Sequence, residues 1–212
     1  MRMIALLLAA LTTLPLRAAE VPADFAGLLD AHNAARRSVG VAPLAWSGGL
    51  AAEAQQWSTQ LAGEDCKLRY DPDPVRRENT GQNLFRAYGN APYEGYKRSS
   101  AEAADRWVRE GAQYDHARHQ CKPGLGSQCG AYLQVIWEAT TAIGCGRARC
   151  AAAEVWVCHY APRGGQEGLL PYGNPQQSSA VVEAPRVQQC DALQPSAEQQ
   201  FSDALNEQLA PK

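Results

Sequence analysis

The sequence predicts an α+β domain in which helices cover a small sheet and disulfides staple the layers together. Three observations carry that prediction. Apolar residues recur at helical spacing in three segments ahead of Tyr114, three short β-rich runs follow, and six of the seven cysteines fall between Cys66 and Cys158. Helices first and strands afterwards is the order of an α+β domain, whereas a parallel α/β sheet would alternate them.

The elements are taken in chain order. Met1-Arg2-Met3 is followed by an apolar run from Ile4 to Leu11 and a small-residue stretch ending at Ala19. A basic start, a short apolar core and an Ala-rich exit predict a signal peptide over residues 1–19. The run is too short to span a bilayer, and with no cysteine after it a lipid anchor is not expected. Residues 22–39 read as a helix, because Phe25, Leu28, Leu29, His32 and Arg36 recur at three and four. A second helix starts at Ser47, a good N-cap, and buries Leu50, Ala54, Trp57 and Leu61. A Pro- and charge-rich loop runs from Cys66 to Arg77. The third helix opens at Ser99 with Glu102 three residues on, a capping box, and turns Ala103, Trp107 and Val108 inward before ending near Tyr114. Strands are expected at Tyr132–Trp137, Ile143–Arg147 and Val155–Tyr160, each β-branched or aromatic and bounded by turn residues. After Tyr172 the composition shifts to Gln, Ser, Pro and Ala, which predicts a tail over 174–212. Phe201, Leu205 and Leu209 would give it a short helix, too poor in apolar residues to fold alone.

Removing the leader leaves 18 basic and 22 acidic residues, a formal charge of −4. That balance excludes an electrostatic footprint for nucleic acid and gives no strong pull toward anionic membranes. An exported chain meets oxidising conditions, so its cysteines are expected to pair. Spacing alone leaves 15 pairings for six cysteines. A zinc site has no Cys-x-x-Cys pair to rest on, and neither a Gly-x-Ser-x-Gly nor a His-Glu-x-x-His motif is present.

Five short stretches, in order, resemble one known family. His32-Asn33-Ala34-Ala35-Arg36 is similar to its His-Asn-x-x-Arg, and Gly81-Gln82-Asn83-Leu84 to its Gly-Glu-Asn-Leu. Cys129-Gly130-Ala131-Tyr132-Leu133-Gln134-Val135-Ile136-Trp137 looks like its Gly-His-Tyr-Thr-Gln-Val-Val-Trp signature, and Cys158-His159-Tyr160-Ala161-Pro162 like its Cys-Asn-Tyr-x-Pro. Gly168-Leu169-Leu170-Pro171-Tyr172 continues the match. The family is the CAP superfamily of cysteine-rich secretory proteins, antigen-five allergens and plant pathogenesis-related proteins, and the resemblance covers residues 22–173. It implies a three-layer α-β-α sandwich and the pairings Cys66–Cys150, Cys121–Cys129 and Cys145–Cys158. The first closes the longest loop and should stabilise most, about 3–5 kcal/mol.

The resemblance also implies a cleft where two His and two Glu can bind zinc. At those four positions this chain has Tyr70, Gln82, Glu110 and Ala131. An amide carbonyl, a protonated phenol and a methyl are poor or absent zinc ligands, so neither metal nor cofactor is expected. The long loop after Cys66 leaves Arg69 or Arg76 as an alternative to Tyr70 at the first His position, and as an ion-pair partner for Glu110. His32 reads as a packing residue of the first helix and His159 as a sheet residue. His116 and His119 lack a nearby Cys or carboxylate to make a metal site. The implied function is an exported, secreted or periplasmic, non-catalytic binding module for a lipid-like, sterol or protein ligand. Two alternatives stand beside it: an enzyme with a rearranged cleft around Glu110, and an interaction protein joined through Cys190, unpaired by count, as a disulfide-linked dimer.

Overall fold

The computed structural model describes residues 20–124, 128–166 and 169–173. The leader 1–19, the tail 174–212 with its short helix, and Cys190 lie outside the described residues. Helix α1 spans Ala23–Ser38, strand β1 Ala45–Trp46 and helix α2 Gly48–Gly63. A one-and-a-half-turn helix α3 (Pro74–Asn79) leads into β2 (Gly81–Tyr88). Helix α4 (Ser100–Val108) runs on as a 3-10 turn over Arg109–Gln113, and the short pair β3 (Tyr114–Asp115) and β4 (Gln120–Cys121) follows. Helix α5 (Gly130–Val135) and the long strands β5 (Ala142–Arg149) and β6 (Ala153–Ala161) complete the domain.

The caps are where the sequence placed them. Ser47 accepts from the Leu50 N–H, and Ser99 and Glu102 form the reciprocal capping box. One expected element is corrected: residues 132–137 are no strand, because Gly130–Val135 is helical. Tyr132, Val135 and Ile136 are its buried apolar residues, a spacing of three and four that belongs to a helix and outweighs the run's β-branched content. A second strand was not foreseen at all. Residues 81–88 form β2, antiparallel to β6 with Gln82 opposite His159 and Asn83 opposite Cys158.

The main sheet has the order β1-β5-β6-β2, with only β1–β5 parallel. Helix α2 covers one face, where Ala54, Trp57 and Leu61 meet Val155 and Val157. Helices α1, α4 and α5 cover the other, around Leu28, Trp107, Ile136, Trp156 and Tyr160. These are the three layers of an α-β-α sandwich. Helix α2 lies directly on β5 because that strand offers Gly144 and Gly146 beneath it: a Cβ at either would overlap the helix backbone. The bonds Cys66–Cys150, Cys121–Cys129 and Cys145–Cys158 are all formed. Among the described residues no helix is long and apolar enough to cross a membrane.

The His-Asn-x-x-Arg motif acts on the α1 face. Arg36 is fully buried, and its guanidinium donates to the carbonyls of Ala42, Val135, Trp137 and Thr140 at 2.6–3.0 Å. It thereby ties α1 to the chain that leaves α5. His32 donates from Nδ1 to the Leu28 carbonyl, so its Nε2 accepts from the Tyr160 hydroxyl, both at 2.8 Å. The Asn83 amide donates in turn to the Tyr160 oxygen and to the Ala131 carbonyl. Burial, with Arg36 nearby, lowers the His32 pKa to about 4, so the ring is neutral. On the other side of the sheet edge, the buried carboxylate of Glu154 fixes the β2–α4 loop. It accepts from the Tyr93 hydroxyl, the Lys97 and Arg98 N–H groups and the Trp156 indole.

Candidate functional site

A cleft of about 910 Å³ opens along the free edge of β2. The segment after α2, with Tyr70, Asp71 and Arg76, lines one side, and Glu110 and the start of α5 line another. Tyr70, Gln82, Glu110 and Ala131 all face this one space. The fold brings them together because β2 carries Gln82 to the sheet edge, the 3-10 turn after α4 carries Glu110, and α5 begins beside it.

Each of the four is committed differently. Tyr70 sits at the rim, 66% exposed. Glu110 accepts from the Ala131 N–H at 2.9 Å and also bonds the Tyr132 N–H. Its carboxylate therefore satisfies the first turn of α5, the role of an N-cap. Burial raises its pKa against the pull of those two amides. Ala131 brings only a methyl. Gln82 is locked at both ends: Oε1 accepts from the Asp71 N–H at 3.1 Å, and Nε2 donates to His159 Nε2 at 2.6 Å.

That last bond fixes the histidine. With Nε2 accepting, the His159 proton is on Nδ1, which points at Glu53 Oε2 on α2 from 3.6 Å. The separation is an ion-pair distance and too long for a hydrogen bond, and neither buried atom has a hydrogen-bond partner. Burial lowers the His159 pKa despite Glu53 and Asp71 nearby. Asp71 is itself buried. Burial alone would raise its carboxyl, but hydrogen bonds from Arg76 Nε at 2.7 Å and from the Asp73 N–H outweigh it and hold the pKa low.

The proposed arginine partners of Glu110 are corrected here. Arg69 pairs with Glu64 and stacks over Trp57, while Arg76 is held by Asp71. The cation that acts on Glu110 is Arg106. The remaining histidines stand apart from the cleft, with His116 bonded to the Tyr172 hydroxyl and His119 to that of Tyr114. Among the described residues, no three His, Cys, Asp or Glu side chains gather as a metal site. Sequence reasoning missed the Glu53–His159–Gln82 chain and the buried Asp71. A signal existed, since the two departures from the signatures on neighbouring strands, Gln82 and His159, lie directly opposite each other.

Comparison with known proteins agrees with this architecture. The profile of the CAP, or cysteine-rich secretory protein, family matches residues 29–160. A pathogenesis-related protein of PR-1 type from Sambucus nigra is 38% identical over 152 residues, covering 71% of this chain and 81% of its own. Pathogenesis-related protein 1B of Nicotiana tabacum is 39% identical over 145 residues, covering 68% and 78%. The structure of venom allergen-like protein 4 of Schistosoma mansoni superposes with a TM-score of 0.54 at 26% identity, over 75% of this chain and 99% of that one. Three-layer fold, disulfide pairing, signature motifs and these matches together make the chain a member of the CAP family.

Proposed function

We propose that this CAP domain is a secreted, non-catalytic binding module whose cleft takes a ligand in place of a metal. The donor set at the four cleft positions carries the reading. Of two His and two Glu, one carboxylate remains, and Glu110 spends it on the amides of Ala131 and Tyr132. Gln82 has turned both ends of its amide to Asp71 and His159. The residues present do not fit zinc, which asks for three or four deprotonated N, O or S ligands converging at about 2.0–2.3 Å. His159 Nε2 is already occupied by the Gln82 amide, and so it is not free to serve as a general base. A concave, preformed space with a few fixed polar groups suits a bound ligand. Export accords with the three disulfides and the signal-like leader.

The test is a zinc titration of the mature chain by calorimetry, beside the double variant Gln82→Glu, Ala131→His. The natural chain should take up no zinc at micromolar concentrations, and the double variant should gain at least tenfold in affinity. Stoichiometric zinc on the natural chain would overturn the reading and return the cleft to metal chemistry.

A further inference from the structure

The cleft's charge and the backbone along its floor identify the kind of ligand it accepts. Four arginines and two carboxylates line it: Arg69, Arg76, Arg77 and Arg163 against Asp71 and Glu110. Arg76 is neutralised by Asp71, and Arg69 by Glu64 just outside the lining. Arg77 has no acidic partner among the described residues. Among the described residues the Arg163 guanidinium makes a single bond, from Nη1 to the Arg77 carbonyl at 2.8 Å, which brings it against the same corner. Arg77 and Arg163 thus both line this corner without an acidic partner among the described residues, and guanidinium forks match a carboxylate in geometry and charge.

The floor supplies a second feature. The Trp107 indole donates to the Leu84 carbonyl from outside the sheet, so Leu84 turns its backbone away from β6. In an antiparallel strand this orientation alternates, and Gln82 therefore also turns its N–H and carbonyl outward, into the cleft it lines. Neither group has a partner among the described residues. Trp107 takes the Leu84 carbonyl, so within the cleft lining the Gln82 rung is the one with both groups open. A hydrocarbon chain laid here would strip water from that N–H and carbonyl and return nothing, leaving both unpaired. A peptide backbone would satisfy both. The Gln82 side chain adds a further N–H, because its amide is oriented by Asp71 and His159 and spends only one of two protons on the ring.

We infer that the cleft binds an extended acidic peptide, its backbone bridging to Gln82 in one β-type rung and a carboxylate seated between Arg77 and Arg163. This rests on the binding-module reading and names its ligand class. The departure from the family's Glu at position 82 then has a consequence of its own: an acceptor that would repel a carboxylate has become a fixed donor.

The experiment pans a display library of random decapeptides on the mature chain, with counter-selection on the double variant Arg77→Glu, Arg163→Glu. Both side chains are exposed, and thermal melting checks that the variant remains folded. Enriched sequences should be rich in Asp or Glu and bind the double variant about tenfold or more weakly. Methylating the backbone nitrogen that faces Gln82 should weaken the best peptide by a similar factor, and the Gln82 amide signal should shift on titration. No enrichment, or binding indifferent to both the arginines and the N-methyl group, overturns the inference. Dodecanoate competing for the cleft while no peptide is enriched overturns it too, yet leaves the binding-module reading standing. Stoichiometric zinc binding in the titration above would remove both.

Discussion

The two faces of the sheet treat buried polar groups in opposite ways. On the α1 face, Arg36, His32, Tyr160 and Asn83 form a closed system in which the guanidinium and the ring nitrogens all have partners. On the α2 face, His159 and Glu53 approach to 3.6 Å and leave two buried atoms without hydrogen bonds. Satisfied networks make one structure unique, while partly satisfied ones carry a standing cost. The first face therefore holds the fold, and the second carries the Gln82–His159 pair to the cleft at the sheet edge. The kept signature residues His32, Arg36, Asn83 and Tyr160 belong to the first, and the altered pair Gln82 and His159 to the second.

The comparison breaks most visibly at Arg36. Replacing it with Met would leave three buried carbonyls and a partly buried fourth without their donor, and the domain should lose about 3–5 kcal/mol or fail to fold. Urea denaturation reads this directly, and a loss under 1 kcal/mol would mean that the α1 face is no keystone. A pH titration sharpens the contrast next. The His32 pKa of about 4 lies below the unfolded value of 6.5, so between these values the unfolded chain binds more protons. Stability is then fully present above pH 6.5 and falls as pH drops toward 4, by at most roughly 3 kcal/mol. His159 shifts in the same direction. Changing it to Asn should reduce the acid loss without abolishing it, whereas abolition would place the whole effect on the α2 face. The smallest effect is expected at Glu110: Glu110→Ala removes the α5 cap and should cost about 1–2 kcal/mol in the same urea assay. A larger loss would make this position part of the framework instead of the cleft.

Legibility in the sequence follows the same division. Helices α1, α2 and α4 could be read because burial repeats every three or four residues and Ser47 and Ser99 announce their starts. Strand β6 could be read from its β-branched and aromatic content, and β5 from Ile143 and the turn residues that flank it. Helix α5 could not, since six residues give less than two turns of periodicity and its N-terminal cap, Glu110, lies twenty residues upstream of the helix start. Strand β2 escaped for a related reason: its partner β6 comes some seventy residues later. The cleft positions Tyr70, Gln82, Glu110 and Ala131 were visible only through motif resemblance, because no local pattern marks residues that meet across such distances. What each of them binds in the fold, amide, carbonyl or ring nitrogen, is a property of three-dimensional neighbours alone.

The Cys66–Cys150 bond joins the end of α2 to the turn between β5 and β6. The segment bearing Tyr70, Asp71 and Arg76 hangs from the first of these cysteines, whose carbonyl also receives Arg86. One wall of the cleft is thus hung from a covalent anchor that exists only after oxidation. In a reducing compartment the sandwich would still have its two cores, but the wall would lack its fixed end. The fixed geometry of that wall is therefore acquired only when the disulfide forms, after the chain itself has been made.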